Sequence, residues 1–345
     1  MRMDISDELF EVAGAYLLPL RSIDDTVNKK AGTKVLIETP LGFKDVGLEL
    51  SRYFSNKGLD AYLSGRNVWG SCDFSLVRDY DYIIHLGHAL PPNILRTIIT
   101  NFRADIDRRG VVTVLNIRDG PHVILAPIYY KPQPELLGRL KSIVNDLIKA
   151  NPNPVVTYAL PYLLYAHTVA KEFGLRIASE PITGCFVGFP IPDNVLFIGS
   201  GYFYPLTFKF LRPQTVVYLL DVFRGVVEDI EHVYRRYLAM KVKSIEEFRK
   251  ARRVGVVLSR KPGQLRRDLV EPLIDRLREM NKEVVIIDAD EVSPDVVNNL
   301  PVDAVVNTAC PRVGIDDLDR FAKPVINVGD LLKRNILDLN NLLIW

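Results

Sequence analysis

Residues 34–63 read KVLIETPLGFKDVGLELSRYFSNKGLDAYL, and the fold class turns on how this stretch divides. KVLIET is apolar almost throughout, so it reads as a strand covered on both faces rather than one that alternates apolar with polar. FKDVGLELSRYFSNKG spaces its apolar residues at helical intervals and stops at Gly58, a residue suited to ending a helix. DAYL then returns as a second strand. Strand, helix, strand is the unit of a parallel sheet, because parallel neighbours need a crossover connection.

The pattern continues outward. YDYIIHLGH (80–88) reads as a strand, PPNILRTIITNFRADIDRRG (91–110) as a helix opened by proline, and VVTVLNI and HVILAPI as further strands. After the proline-marked YKPQPEL come the helix LLGRLKSIVNDLIKA, the strand PVVTYAL, the helix PYLLYAHTVAKEFG and the strands VLFIGS and TVVYLLDV. A charged helical stretch, EEFRKARR, leads into VGVVLS, followed by the helix LRRDLVEPLIDRLREMNK and the strands EVVIID, DAVVNTA and PVINVG. The reading is an α/β chain of parallel sheets in three units: residues 1–130, 131–238 and 239–345. Each lies within the usual domain size.

Composition sets limits. The 345 residues are 48% hydrophobic and 25% charged, which excludes a disordered or fibrous chain. A net charge of +2 supplies no field that would make nucleic acid the main partner, so no direct nucleic-acid contact is expected. No apolar run approaches the roughly 18 to 20 residues that span a bilayer. The start, MRMDISDELFEVAG, carries acids where a signal peptide has a basic end and an apolar run. The expectation is a cytoplasmic protein without a membrane segment.

Three cysteines stand out because each follows two small or short residues and each falls in a different unit: GSC (70–72), TGC (183–185) and TAC (308–310). They cannot all pair within one chain, and a reducing cytosol keeps thiols unpaired. Their spacings of 113 and 125 residues match no local zinc motif. Packing and ligation both remain open: cysteine is among the most buried residue types, yet a ligating thiolate needs room near the backbone, which small neighbours give. Three thiolates without a regularly spaced histidine or fourth cysteine suit an iron-sulfur cluster with one open iron. Cys310 directly follows the strand DAVVNTA, beyond the carboxyl end, where parallel sheets bind ligands.

Around that cysteine, VVNTACPRVGIDD resembles the third cysteine motif of archaeal diphthamide synthases, the 2-(3-amino-3-carboxypropyl)histidine synthases. NVWGSCD resembles their first motif and ITGCFVG their second, while ETPLGFKDVG, IIHLGHA, LFIGSGYFYPL and LSRKPGQL match in order over roughly residues 30 to 330. The resemblance implies three similar α/β domains around a central cleft, with Cys72, Cys185 and Cys310 as the ligands of a 4Fe-4S cluster. It implies S-adenosylmethionine as cosubstrate on the open iron, without the CxxxCxxC motif of the usual radical enzymes. It further implies transfer of a 3-amino-3-carboxypropyl group to carbon 2 of a histidine imidazole in translation elongation factor 2, the first step of diphthamide biosynthesis. A homodimer and an electron donor complete the implied set. Trp69 and Ser71 stand where tyrosine and alanine are commoner, and the first 30 residues match poorly.

Other positions carry two readings each. Gly199, Ser200 and Gly201, in GSGYF, either present N–H groups to a carboxylate or ribose or form a plain strand-to-helix turn. The run is not the full GxGxxG of a nicotinamide site. Tyr204 stands near where family members often have a histidine. Gln264 either donates to the cosubstrate's polar end or is a surface turn residue. Arg312 either pairs with the methionyl carboxylate or anchors Asp316 or Asp317. His85 and His88, in HLGH, lack a third ligand and read as satisfied loop histidines. RKARR and SRKPGQLRR read as solvated faces. Two other functions stay on the table: a non-catalytic iron-sulfur or scaffold member of the same family, and an unrelated small-molecule-binding α/β protein. Three cysteines on one chain favour catalysis.

Overall fold

The computed structural model describes residues 9–184, 186–315 and 318–333. The chain divides into two compact units, residues 1–230 and 231–345. The first described elements are the antiparallel strands β1 (Phe10–Val12) and β2 (Tyr16–Leu18) and the helix α1 (Leu20–Thr26). Then β3 (Lys34–Glu38), α2 (Lys44–Asn56) and β4 (Asp60–Leu63) form the expected strand-helix-strand unit, with β3 and β4 parallel. Val46, Leu50 and Phe54, four residues apart, bury one face of α2 against the sheet. At Gly47 the helix comes so near that a Cβ would stand 2.7 Å from Leu63 Cδ1 and 2.9 Å from Thr39 Cγ2.

Next come β5 (Tyr82–Leu86), α3 (Pro92–Phe102), β6 (Asp105–Arg109), β7 (Val112–Asn116) and β8 (His122–Ala126). The sheet order is β4-β3-β5-β8-β7-β6, parallel from β4 through β8 and antiparallel from β8 to β6. Two expectations are corrected here. The helix read over 91–110 stops at Phe102, where Arg103 turns left-handed (φ 49°), and Asp105–Arg109 becomes an edge strand. DIDRR carries one apolar residue among four charges, so it offers no apolar helical face but suits an exposed edge strand. Once that strand pairs with β7 around Gly110 (φ 59°), VVTVLNI runs antiparallel to its neighbours rather than parallel.

A two-residue strand, β9 (Tyr129–Tyr130), closes a small antiparallel sheet with β1 and β2. The helix α4 (Pro134–Ala150) leads into β10 (Val155–Tyr158), α5 (Leu163–Phe173), β11 (Asn194–Gly199), α6 (Phe203–Leu211), β12 (Val216–Asp221) and β13 (Val226–Asp229). These strands form a sheet in that order, the first three parallel and β13 antiparallel. Leu196, Phe197 and Ile198 of the central β11 are fully buried, as the unbroken apolar run in VLFIGS requires.

The second unit opens with α7 (Glu231–Lys250), so the residue pair 238/239, expected as a boundary, lies inside a helix. Beyond it lie β14 (Arg253–Ser259), α8 (Arg267–Glu279), β15 (Glu283–Ala289), α9 (Pro294–Asn298), β16 (Ala304–Asn307), β17 (Val325–Asn327) and α10 (Val328–Lys333). All four strands are parallel, in the order β15-β14-β16-β17. Leu269, Val270, Leu273, Ile274 and Leu277 of α8 pack with Ile245 and Phe248 of α7 over this sheet. Among the described residues no helix is long and apolar enough to cross a membrane.

Candidate functional site

The Cys72 thiol sits half-buried in the segment that joins β4 to β5. Polar side chains tie that segment to the carboxyl ends of β3 and β5. Ser71 Oγ donates to the Ala89 carbonyl at 2.7 Å, just past β5. Asp73, fully buried, accepts Arg66 Nη2 at 2.7 Å and the Trp69 N–H at 3.4 Å, and its own N–H donates to the Gly70 carbonyl. Gly70 leaves open the space beside the sulfur: a Cβ there would stand 3.4 Å from Cys72 Sγ.

Beneath this turn lies Glu38, the last residue of β3, with no exposed surface. Its carboxylate accepts the Ser75 N–H at 3.0 Å, the Ser75 hydroxyl and Arg66 Nη1 at 3.4 Å. Burial alone would push the Glu38 carboxyl up, but His85 and Ser75 outweigh it and hold the group below the usual carboxylate range. His85, also fully buried, places Nδ1 3.6 Å from Glu38 Oε2, a charge contact too long for a hydrogen bond, and Nε2 3.0 Å from His88 Nδ1. His85 Nε2 and His88 Nδ1 share one hydrogen bond, whose direction depends on the tautomer. His85 is therefore a buried strand residue rather than a loop histidine, and its Nδ1 has the Glu38 carboxylate nearby but no hydrogen bond.

In the second unit, Cys310 lies just past the end of β16. β16 ends at Asn307, and the chain turns through a short 3-10 helix, Pro311–Gly314. Asn307, buried, donates from Nδ2 to the Cys310 carbonyl at 2.8 Å and accepts the Ala309 N–H at 3.0 Å. Asn327, at the end of the neighbouring β17, accepts Asn307 Nδ2 at 2.7 Å and donates to the Pro311 carbonyl at 2.8 Å. The Thr308 hydroxyl donates to the Val257 carbonyl of β14. The Cys310 thiol is half-buried.

Cys185 lies outside the described residues. On either side of it, Thr183 and Phe186 exchange two backbone hydrogen bonds of 3.0 and 3.1 Å, and the Ile182 N–H donates to the Tyr158 carbonyl at the end of β10. Among the described residues no group of three or more His, Cys, Asp or Glu side chains forms a metal site.

The profile of the diphthamide synthesis protein family matches residues 39–333. The chain belongs to that family. The 2-(3-amino-3-carboxypropyl)histidine synthase of Methanocaldococcus jannaschii is 26% identical over 309 residues, covering 86% of this chain and 82% of that protein. The synthase of the same description from Pyrococcus horikoshii is 26% identical over 324 residues, covering 86% and 84%. The fold is that of Dph2 from Pyrococcus horikoshii, whose crystal structure with a 4Fe-4S cluster aligns with a TM-score of 0.72 at 22% identity, over 96% of this chain and 93% of that one.

Other positions singled out in this family member fall as follows. The Gly199–Gly201 turn ends β11, but its donors are turned inward: Gly201 N–H and Ser200 Oγ both reach Asp221 Oδ2 at 3.3 Å. Asp221, buried at the end of β12, also accepts the Phe223 and Arg224 N–H groups and Arg224 Nε, each at 3.0 Å. Burial raises the Asp221 carboxyl, and the bonds from Arg224 and Gly201 more than offset this, leaving it below the ordinary range. Tyr204 stacks on Phe197 with ring centroids 5.9 Å apart. Gln264 is buried, not a surface turn residue, and lies in a 3-10 turn with Oε1 3.5 Å from Ser259 Oγ. Arg312 is half-buried in the same short helix that follows Cys310, while Asp316 and Asp317 lie outside the described residues.

The basic runs meet acids of their own unit: Arg249 with Glu246, Arg253 with Glu283, Arg260 with Asp288 and Arg266 with Asp268. Sequence reading missed Glu38, Arg66, Asn307, Asn327 and Asp221. Four of the five announce themselves as polar residues closing an apolar strand: VLIE, VVN, VIN and LLD.

Proposed function

We propose that this chain transfers the 3-amino-3-carboxypropyl group of S-adenosylmethionine to carbon 2 of a histidine imidazole in translation elongation factor 2. Cys72, Cys185 and Cys310 would hold a 4Fe-4S cluster, each supplied by one of the three parallel-rich sheets. The observation that carries the reading is that both described thiols, Cys72 and Cys310, lie half-buried in turns that buried polar side chains fasten to the carboxyl ends of parallel strands. Ligands of parallel sheets gather at those ends, and soft thiolates are the donors an iron-sulfur cluster takes. Family membership and the synthase relatives support the same activity.

A reduced cluster would supply one electron to the sulfonium and an open iron to hold it. The protein's own part is to orient and to exclude water. Gln264 and Arg312 are the proposed contacts to the polar end of the cosubstrate. The Gly199–Gly201 turn would contribute its shape, since Asp221 holds the Gly201 N–H. The partners in this reading are elongation factor 2, a second copy of the chain and an electron donor, in the cytoplasm.

The test is anaerobic reconstitution followed by incubation with labelled S-adenosylmethionine and elongation factor 2. Expected are about four irons per chain, a broad absorbance bleached by dithionite, and label on the factor. Protein that stays colourless overturns the ligand assignment. A loaded cluster with no label on the factor overturns catalysis and leaves a non-catalytic family member.

A further inference from the structure

We propose that Glu38 is a positioning residue for Cys72: it fixes the turn that carries this thiol and sets the electrostatic field around it. The inference rests on the reading of Cys72 as a cluster ligand. A carboxylate with no exposed surface at the end of an apolar strand is costly unless it is paired and hydrogen-bonded. Glu38 is, and its partners flank the cysteine in sequence. Arg66 lies six residues before Cys72 and Ser75 three residues after, and both bond the same carboxylate.

Arg66 carries the connection onward. Its Nη2 donates to Asp73, the residue next to Cys72, and its backbone carbonyl accepts Lys44 Nζ from α2 at 2.6 Å. On the opposite side the carboxylate faces His85 of β5. The Cys72 turn is therefore held by charge-assisted bonds whose rearrangement would leave a buried charge unpaired. Groups that bond and surround a metal ligand tune the metal as well as placing it.

The sign of that tuning follows from charge alone. With the charge on His85 unchanged, Glu38→Gln makes the surroundings of the thiol one unit more positive, which favours the more negative, reduced cluster and raises its midpoint potential. Arg66→Gln does the reverse. The Arg66 side chain is 45% exposed, so its replacement is tolerated more readily than that of a buried residue. A role in packing alone would not move the two potentials in opposite directions.

Wild type, Glu38→Gln, Glu38→Asp and Arg66→Gln are reconstituted anaerobically, and iron per chain, thermal unfolding and midpoint potential are measured on each. The expected result is a positive shift for Glu38→Gln, a negative shift for Arg66→Gln and a near-wild-type potential for Glu38→Asp. Label transfer by Glu38→Gln should fall about 10- to 100-fold. Unmoved potentials, or shifts of the same sign, overturn the inference while leaving the cluster reading intact. A wild type that takes up no iron overturns both. Should Glu38→Gln fail to fold, the sign of the Arg66→Gln shift decides.

Discussion

Asn307 donates its side-chain amide to Asn327 Oδ1 at 2.7 Å, joining the carboxyl ends of β16 and β17 beneath the Cys310 turn. The same nitrogen reaches the Cys310 carbonyl, and Asn327 reaches that of Pro311. Asn307→Ala therefore leaves buried acceptors without their donor. The expected cost is about 1–3 kcal/mol, read by urea unfolding. Reconstituted Asn307→Ala should also retain less iron than wild type under a chelator challenge, because the turn that presents Cys310 loses its anchor.

The close approach of α2 to its sheet at Gly47 gives a second expectation. A Cβ at Gly47 would stand 2.7 Å from Leu63 Cδ1, inside contact distance. Gly47→Val adds two further methyl groups there, and overpacking costs about 1–3 kcal/mol, more than the helix propensity gained by replacing glycine, which is at most about 1 kcal/mol. Thermal unfolding should show a lower midpoint for Gly47→Val than for wild type, with unchanged secondary structure by circular dichroism.

These two sites mark what sequence conveys and what it withholds. The runs KVLIE and AVVN are apolar enough to be read as covered strands, and each became a member of a parallel ladder. ADIDRRG was misread because no proline or glycine separates it from the helix before it, and its pairing with VTVLN depends on a partner strand rather than on its own periodicity. The cysteine loops were legible through their small neighbours. The pairings that fasten them were not: Glu38 and Ser75 are 37 positions apart, Asn307 and Asn327 are 20 apart, and only the strand order brings them together.

Asp221 predicts the acid behaviour. Its folded carboxyl ionises below the ordinary range, so the unfolded chain binds the proton more readily than the folded one. The stability it contributes is full above the unfolded value of about 4 and is lost as pH falls through the lower, folded value. Asp221→Asn keeps the shape but turns an amide toward the Gly201 and Arg224 donors. It should be less stable than wild type near pH 7, by about 1–3 kcal/mol, and the gap should narrow below about pH 4. Chemical denaturation at a series of pH values measures this, and a gap that is constant down to pH 2 would contradict it.

Ser71 separates fastening from ligation at the Cys72 turn. Ser71 Oγ donates to the Ala89 carbonyl at 2.7 Å, a bond that alanine, without a hydroxyl, cannot make. The other side of the turn is held independently, through Asp73, Arg66 and Glu38. Ser71→Ala thus removes one hydrogen bond from a turn that keeps its charged anchors, and the Ala89 carbonyl, only half-buried, regains water. The expected loss is about 1 kcal/mol in urea unfolding, with iron uptake close to wild type. Cys72→Ala should do the opposite, leaving unfolding little changed in the metal-free protein and abolishing stable loading of the cluster. If Ser71→Ala lost the cluster as fully as Cys72→Ala, the charged anchors could not be what holds this thiol in place.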